Sequence, residues 1–545
     1  MLRLTNPPPD VAAALDRIGA EGILERIWSH DHTVWKDDPT EIANRLAWLN
    51  LPETTPRKLE RVRRFAGDVR EDGVCDVLLL GMGGSSLAPE TLATTFGHAD
   101  GFPSLRVLDS THPDAVLETE GRLDPSRTLF VVATKSGATT ETLSLFRYFH
   151  ARVAETVGLD RAGSRFVAIT DPGSPLVALA RKHAFREVFE NDPNLGGRYS
   201  ALSLFGLVPA ALLGIDVGGL LERAREVAVA CASSDTHTNP AARLGALLGV
   251  GPQAGRDKAT FLLSDEIAGL GNWIEQLVAE STGKEGTGIL PVVGEPVGPP
   301  SVYGSDRLFV NVCTAGDRSQ DAMVERLVVA GHPVARAELD DRLALGGQFF
   351  LWEFATAIAG HLLRVNPFDQ PNVEAAKART REMVNEYRRT GAFPETFEKG
   401  PTAEALNRFL NEGVDGSYVA IQAYLPPSPG IARALQRVRM AIRDRRRLAT
   451  TVGFGPRFLH STGQLHKGDR GNGLFVQFVV RLERDVPIPD DVAPGESALT
   501  FGALIAAQAS GDRQALIAAG RRVLTVRLDR EGGIEQLENL AEGLS

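Results

Sequence analysis

Thiols are scarce in this chain: Cys75, Cys231 and Cys313 are the only three in 545 residues, and no two form a Cys-x-x-Cys pair. That excludes a disulfide-framework fold and a cysteine zinc site, and it fits a reducing compartment. A basic excess is missing too, with 59 Lys+Arg against 69 Asp+Glu and a formal charge of −10. A general nucleic-acid binder carries the opposite balance. Long apolar runs are absent as well. No uncharged stretch exceeds 17 residues, and one of that length, Tyr199 to Ile215, holds Pro209 and is flanked by Arg198 and Asp216. It reads as a buried helix rather than a membrane span. The start meets Pro7, Pro8, Pro9 and Asp10 before any apolar stretch long enough for an export signal. The expectation is a cytoplasmic protein with no membrane and no nucleic-acid partner.

What is present is the balance of an ordinary globular chain, 43% hydrophobic and 23% charged, with length enough for several folded units. Residues 1–55 read as an N-terminal helical arm, with Asp38 or Thr40 as a cap. Short apolar runs then alternate with helical patterns: Asp76–Gly81, Leu105–Asp109, Thr128–Ala133 and Arg165–Thr170. That grammar predicts a doubly wound parallel α/β sheet over residues 56–235. A second such unit spans 236–395, with strands near 259–263, 289–293 and 308–312 and helices at 271–281, 348–363 and 373–389. Residues 390–402 read as a linker, and 396–545 as an appended α/β module.

Ligands in open α/β sheets bind beyond the carboxyl ends of the strands. Two loops there suit an anion. Gly81, Gly83 and Gly84 turn the chain into a helix headed by Ser85 and Ser86, and Thr134-Lys135-Ser136-Gly137-Ala138-Thr139-Thr140 adds four hydroxyls and a lysine. Free N–H groups at a helix start complement a phosphate. The plainer reading is a pair of helix caps. A dinucleotide site needs Gly at position 86, where Ser86 stands, and no GK[ST] follows for a Walker loop.

The strings GMGGSSLAP, ATKSGATTET, DPNLGGRYSALSLFGL, EQLVAESTGKEG and NPFDQPNVEAAK, in this order over residues 70–395, resemble the glucose-6-phosphate isomerase family. The C-terminal GFGPRFLHSTGQLHKG is similar to the isomerase half of fused transaldolase–isomerase proteins. The resemblance implies two sugar-isomerase (SIS) subdomains and an aldose–ketose isomerase acting on a sugar phosphate, without metal or other cofactor. It matches Ser85, Thr134, Ser136 and Thr139, with Lys135 among them, to phosphate-binding groups, and Arg198 to the arginine that stabilises an enediolate. It matches Glu280 to the catalytic base, with Gln276 one helical turn earlier, and Lys377 to a lysine near the sugar ring.

The chemistry calls for these residue types. Moving a proton between C1 and C2 takes one carboxylate whose pKa lies near the working pH. Charge developing on the two oxygens is met by a fixed cation. Taken singly, Glu280 reads as a solvated helix residue, Lys377 as a partner in surface pairs with Glu374 and Arg381, and Arg198 as a cap or bridge.

One departure stands out. The family pattern places a ring-opening histidine after Gly294-Glu295-Pro296, brought from a neighbouring subunit, and none follows here. His460 and His466, in HSTGQLH, are the candidate substitutes, histidine being the natural proton shuttle near neutral pH. Their spacing does not suit zinc, and a purely structural loop role is the other reading. A dual phosphoglucose/phosphomannose isomerase and a non-catalytic SIS-type regulator remain alternatives, and the assembly is a monomer or a homodimer.

Overall fold

A computed structural model describes residues 2–390, 398–399, 402–482, 484–491, 497–529 and 532–544, with the side chains of 374–377, 388 and 398–399 outside the described set. The expected linker therefore lies largely outside the described residues. Three five-stranded sheets carry the chain beside a small antiparallel pair, Pro487–Ile488 with Leu499–Thr500, and the parallel strands of all three share one order. In the first, Ser104–Leu108, Asp76–Gly81, Thr128–Ala133, Phe166–Thr170 and Glu187–Glu190 lie side by side, all parallel. In the second the order is Leu290–Val292, Lys258–Leu263, Arg307–Thr314 and Val334–Leu339. In the third it is Ala449–Phe454, Tyr418–Tyr424, Gly473–Val480 and Arg522–Leu528, again parallel, with Glu398–Lys399 on the far edge. Each sheet thus places its second strand on one side of the first and its third and fourth on the other. The chain reverses direction between the first and third strands, so the crevice for a ligand opens above those two.

The N-terminal segment is not a separate arm, which corrects the expectation for residues 1–55. Arg3–Thr5 adds an antiparallel edge strand to the second sheet, with Arg3 opposite Arg336. Its two longer helices are Asp10–Ala20 and Ile23–Trp28, earlier than expected, and Asp38 caps only a turn, accepting from the Thr40 N–H. Trp28 stacks on Phe350, and the Trp35 indole donates to the Ala357 carbonyl at 2.8 Å. Both anchors sit on the helix Leu345–Leu363, of which every residue except His361 is buried. This is the one described helix long and apolar enough to cross a membrane, and it is the shared core of the first two units.

The third module packs against both. Tyr418, Ala420, Ala449 and Phe475 of its sheet meet Ala279, Leu290 and Val292 of the second unit. Its helix Phe501–Ala518 begins in the apolar core of the first unit, beside Phe146 and Tyr148. A buried ion pair, Arg307 with Glu295 at 3.2 Å, receives a hydrogen bond from the Thr450 hydroxyl across the boundary. The module is therefore fixed in place by apolar burial and by polar contacts that specify its orientation.

Candidate active site

The two hydroxyl-rich loops stand at the reversal point of the first sheet. Neither serves as an ordinary helix cap. Thr139 holds the cap position of the 18-residue helix Thr140–Val157, yet its hydroxyl pairs with that of Thr134 at 2.7 Å and no side chain caps the helix. Ser86 precedes the helix Leu87–Phe96 and donates to the Gly83 carbonyl at 3.1 Å, again leaving the helix start uncapped. Both helix starts keep unspent N–H groups, which is what an anion requires. Ser85 is buried, and the Ser136 hydroxyl accepts from the Ala138 N–H. Lys135 is engaged to one side of the loop, by Asp171 at 2.5 Å and by the Pro193 carbonyl.

The helix Leu270–Thr282 buries Trp273, Ile274, Leu277 and Val278 and ends at Gly283. Gln276 and Glu280, four apart, are neighbours along it, and the Gln276 amide donates to Glu280 Oε2 at 3.0 Å. Arg198, in the short turn Gly197–Tyr199, brings Nη1 to 3.2 Å from Glu280 Oε1. Its remaining donors are spent on fixed acceptors: Ser281 Oγ at 2.8 Å, Gln370 Oε1 at 2.9 Å, and the carbonyls of Pro367 and Asp369 at 2.7 and 2.8 Å. A guanidinium held at so many points cannot follow its partner, so it acts as a stationary positive charge. Lys284 closes the same turn from below, donating to the Asn366 and Asp369 carbonyls and to Asp369 Oδ1 at 2.6–2.7 Å. Burial, with Arg198 nearby, pushes its ammonium down to about 7.

The third module reaches this cluster through the segment after its strand Ala449–Phe454. Arg457 pairs with Glu90 and, at 3.1 Å, with Asp109, both on the first unit. His460 follows in the same short helix, Arg457–His460. Its Nε2 lies 2.9 Å from Glu141 Oε1, and its carbonyl accepts from the Gln276 amide at 2.8 Å. One amide therefore touches both Glu280 and the His460 backbone. Gly83, at φ +54°, admits this approach, for a Cβ there would meet Gln276 Nε2 at 2.7 Å and the His460 carbonyl at 2.9 Å.

His466 is elsewhere, which removes it as a candidate. The helix Gly463–Gly468 turns Gln464 toward the end of the helix Leu270–Thr282, where its amide bonds the Gly283 carbonyl and Asn372, and points His466 into the module's own interior. There its ring packs against Phe458 and Phe475, and its Nε2 has no partner among the described residues. Burial and the nearby Lys467 and Arg521 hold its pKa well below the usual imidazole range. Lys377 lies on the helix Pro371–Thr390, with its side chain outside the described residues.

Three residues of this cluster had no assigned role in the sequence reading: Glu141, Lys284 and Arg457. All lie inside the strings quoted above, so the signal was the motif itself. Their partners, 80 to several hundred positions away, were not visible.

Comparison with known proteins decides the family. The phosphoglucose isomerase family model matches residues 59–293. A glucose-6-phosphate isomerase of Rubrobacter xylanophilus is 30% identical over 405 residues, covering 66% of this chain and 91% of that protein. This chain belongs to the glucose-6-phosphate isomerase family. A Thermus thermophilus glucose-6-phosphate isomerase matches at 30% over 392 residues, 63% of this chain and 91% of that protein. Among solved structures, a hypothetical protein of the same organism superposes with a TM-score of 0.61 at 28% identity, over 70% of this chain and 99% of its own. A Chlamydia trachomatis glucose-6-phosphate isomerase gives 0.59 at 18% identity over 74% and 89%, a likeness of fold. The first two sheets are the SIS-type subdomains of this family.

Proposed function

We propose that the chain interconverts glucose 6-phosphate and fructose 6-phosphate, with Glu280 as the proton-transfer base and His460 as the ring-opening group. As a family member it is an aldose–ketose isomerase, and its substrate is a sugar phosphate. The phosphate is taken by the uncapped helix starts with Ser85, Thr134, Ser136 and Thr139, and Lys135 lends positive charge from the side. Ring opening breaks the bond between the anomeric carbon and the ring oxygen. A proton reaches that oxygen and another leaves the anomeric hydroxyl, a task for the His460 imidazole backed by Glu141. Glu280 then removes the proton from C2 of the aldose and returns it to C1 of the resulting enediol. Arg198 faces the charge that develops on the two oxygens. Lys377 is assigned near the ring on resemblance alone.

The observation that carries this reading is the Arg198–Glu280 pair at 3.2 Å, joined through Gln276 to the His460 backbone. All of these groups come from one chain, so we infer a site that a monomer completes. Three unpaired cysteines, two of them buried, suit a reducing cytoplasm. The test is a coupled assay on fructose 6-phosphate with Glu280→Gln beside wild type. Loss of general-base catalysis is worth about 10²–10⁴-fold in kcat, with inhibition by a six-carbon sugar-acid phosphate retained. A variant keeping more than about a tenth of wild-type kcat would remove Glu280 from the role, since a decade is only about 1.4 kcal/mol of barrier.

A further inference from the structure

Behind His460 a line of hydrogen bonds leaves the first unit, enters the third module and comes back. Thr111 Oγ1 donates to Gln508 Oε1 at 2.7 Å, Gln508 Nε2 donates to Glu141 Oε1 at 2.8 Å, and the same oxygen is 2.9 Å from His460 Nε2. Thr111 lies in the loop after Ser104–Leu108, and Gln508 lies on the helix Phe501–Ala518. Both are buried, so water does not stand in for either. His460 Nδ1, by contrast, has no protein partner among the described residues.

We propose that Gln508 is a positioning residue for ring opening: its amide, turned by Thr111, holds Glu141 as an acceptor. His460 then keeps its proton on Nε2 and exchanges protons with the sugar through Nδ1. The inference rests on the reading of His460 given above.

The direction of the line follows from what each group can do. A carboxylate only accepts, so the amide turns its NH₂ toward Glu141 and its oxygen toward the Thr111 hydroxyl, which donates. The reverse orientation sets two acceptor oxygens at 2.8 Å and demands a proton on Glu141. That proton would lie between Glu141 and Gln508, and the anion that holds the His460 Nε2 proton would be lost. The Gln508 donor also lowers the cost of the anion that remains when the His460–Glu141 pair gives up its proton. Without it the pair holds that proton more tightly, and activity that needs a neutral imidazole fails at a higher pH on acidification. Other charges face His460: Asp109, with Glu90, both joined to Arg457 of its own segment, and Glu280, joined through Gln276 and countered by Arg198. A change at Gln508 alters none of them directly.

The test compares kcat against pH on cyclic fructose 6-phosphate for the full chain and three variants: Gln508→Met, Thr111→Val and His460→Asn. Gln508→Met keeps the volume and removes the donor, and its acid limb is expected to move up by roughly half a unit to one unit. Thr111→Val moves it the same way by less. A merely structural role would lower the melting temperature and leave the limb in place, and that outcome overturns the proposal. If Gln508→Met does not fold, Thr111→Val decides by the same criterion. If His460→Asn turns over the cyclic substrate like wild type, the reading of His460 fails first and takes this one with it. A large loss in His460→Asn with unmoved limbs in the other two sinks only the role of Gln508.

Discussion

Lys284 shows how one side chain ties stability to the site. Its ammonium is buried beneath the Asn366–Gln370 turn that also holds Arg198, and its pKa falls from 10.5 to about 7. The unfolded chain therefore binds a proton between pH 7 and 10.5 that the folded chain has released. Stability rises with pH across that window, at most about 1.4 kcal/mol per pH unit from this residue. The neutral amine still has two N–H groups for the two carbonyls it touches and gives up only Asp369 Oδ1. Urea denaturation at pH 6.5 and pH 9 should show wild type gaining on Lys284→Met between the two. A constant difference would mean that Lys284 titrates in the folded chain as it does in the unfolded one.

Among the elements, close backbone contacts explain where glycine is required. A Cβ on Gly84 would lie 1.9 Å from the Gly197 carbonyl oxygen, in the turn that carries Arg198. Gly84→Ala is thus expected to displace that turn, costing about 1–3 kcal/mol of stability and a larger share of kcat than of KM, because the charge faced by Glu280 moves. Steady-state kinetics unchanged from wild type would show the turn to be compliant. The central strands of the first sheet were readable because both faces are buried and the runs are nearly continuous: DVLLLG and TLFVVA were placed to the residue, whereas the half-exposed edge strand Glu187–Glu190 escaped. Val334–Leu339 escaped because Arg336 and Glu338 interrupt it on its half-exposed positions. Arg3–Thr5 escaped because its partner strand begins more than three hundred residues later. The helix Phe501–Ala518 has apolar and small residues all round, since it packs on the first unit, the third sheet and the helix Pro371–Thr390, so it carries no helical stripe. The site was legible through its motifs. His460 and His466 could not be told apart there, because which one faces the cluster depends on how the third module docks.

Across the whole molecule, three sheets with one strand order use their crevices differently. Above the first are hydroxyls and uncapped helix starts. Above the second are Asp265, Glu266 and Asp317, which repel a phosphate. The third contributes none of its own crevice to the cluster and instead extends the segment after its second strand across the first unit. On the reading of His460 proposed above, the third module stands where a neighbouring subunit does in the family pattern to which the sequence is similar. This has a genetic consequence. In a dimer that shares its sites, a chain lacking the base and a chain lacking the histidine restore one intact site when they meet. In this protein Glu280 and His460 lie on the same polypeptide and on the same site. Mixing Glu280→Gln chains with His460→Asn chains, in a cell or after joint refolding, should therefore recover no isomerase activity at any ratio. Recovery approaching a quarter of wild type, as random pairing of exchanged segments would give, would show that the third module swaps between chains.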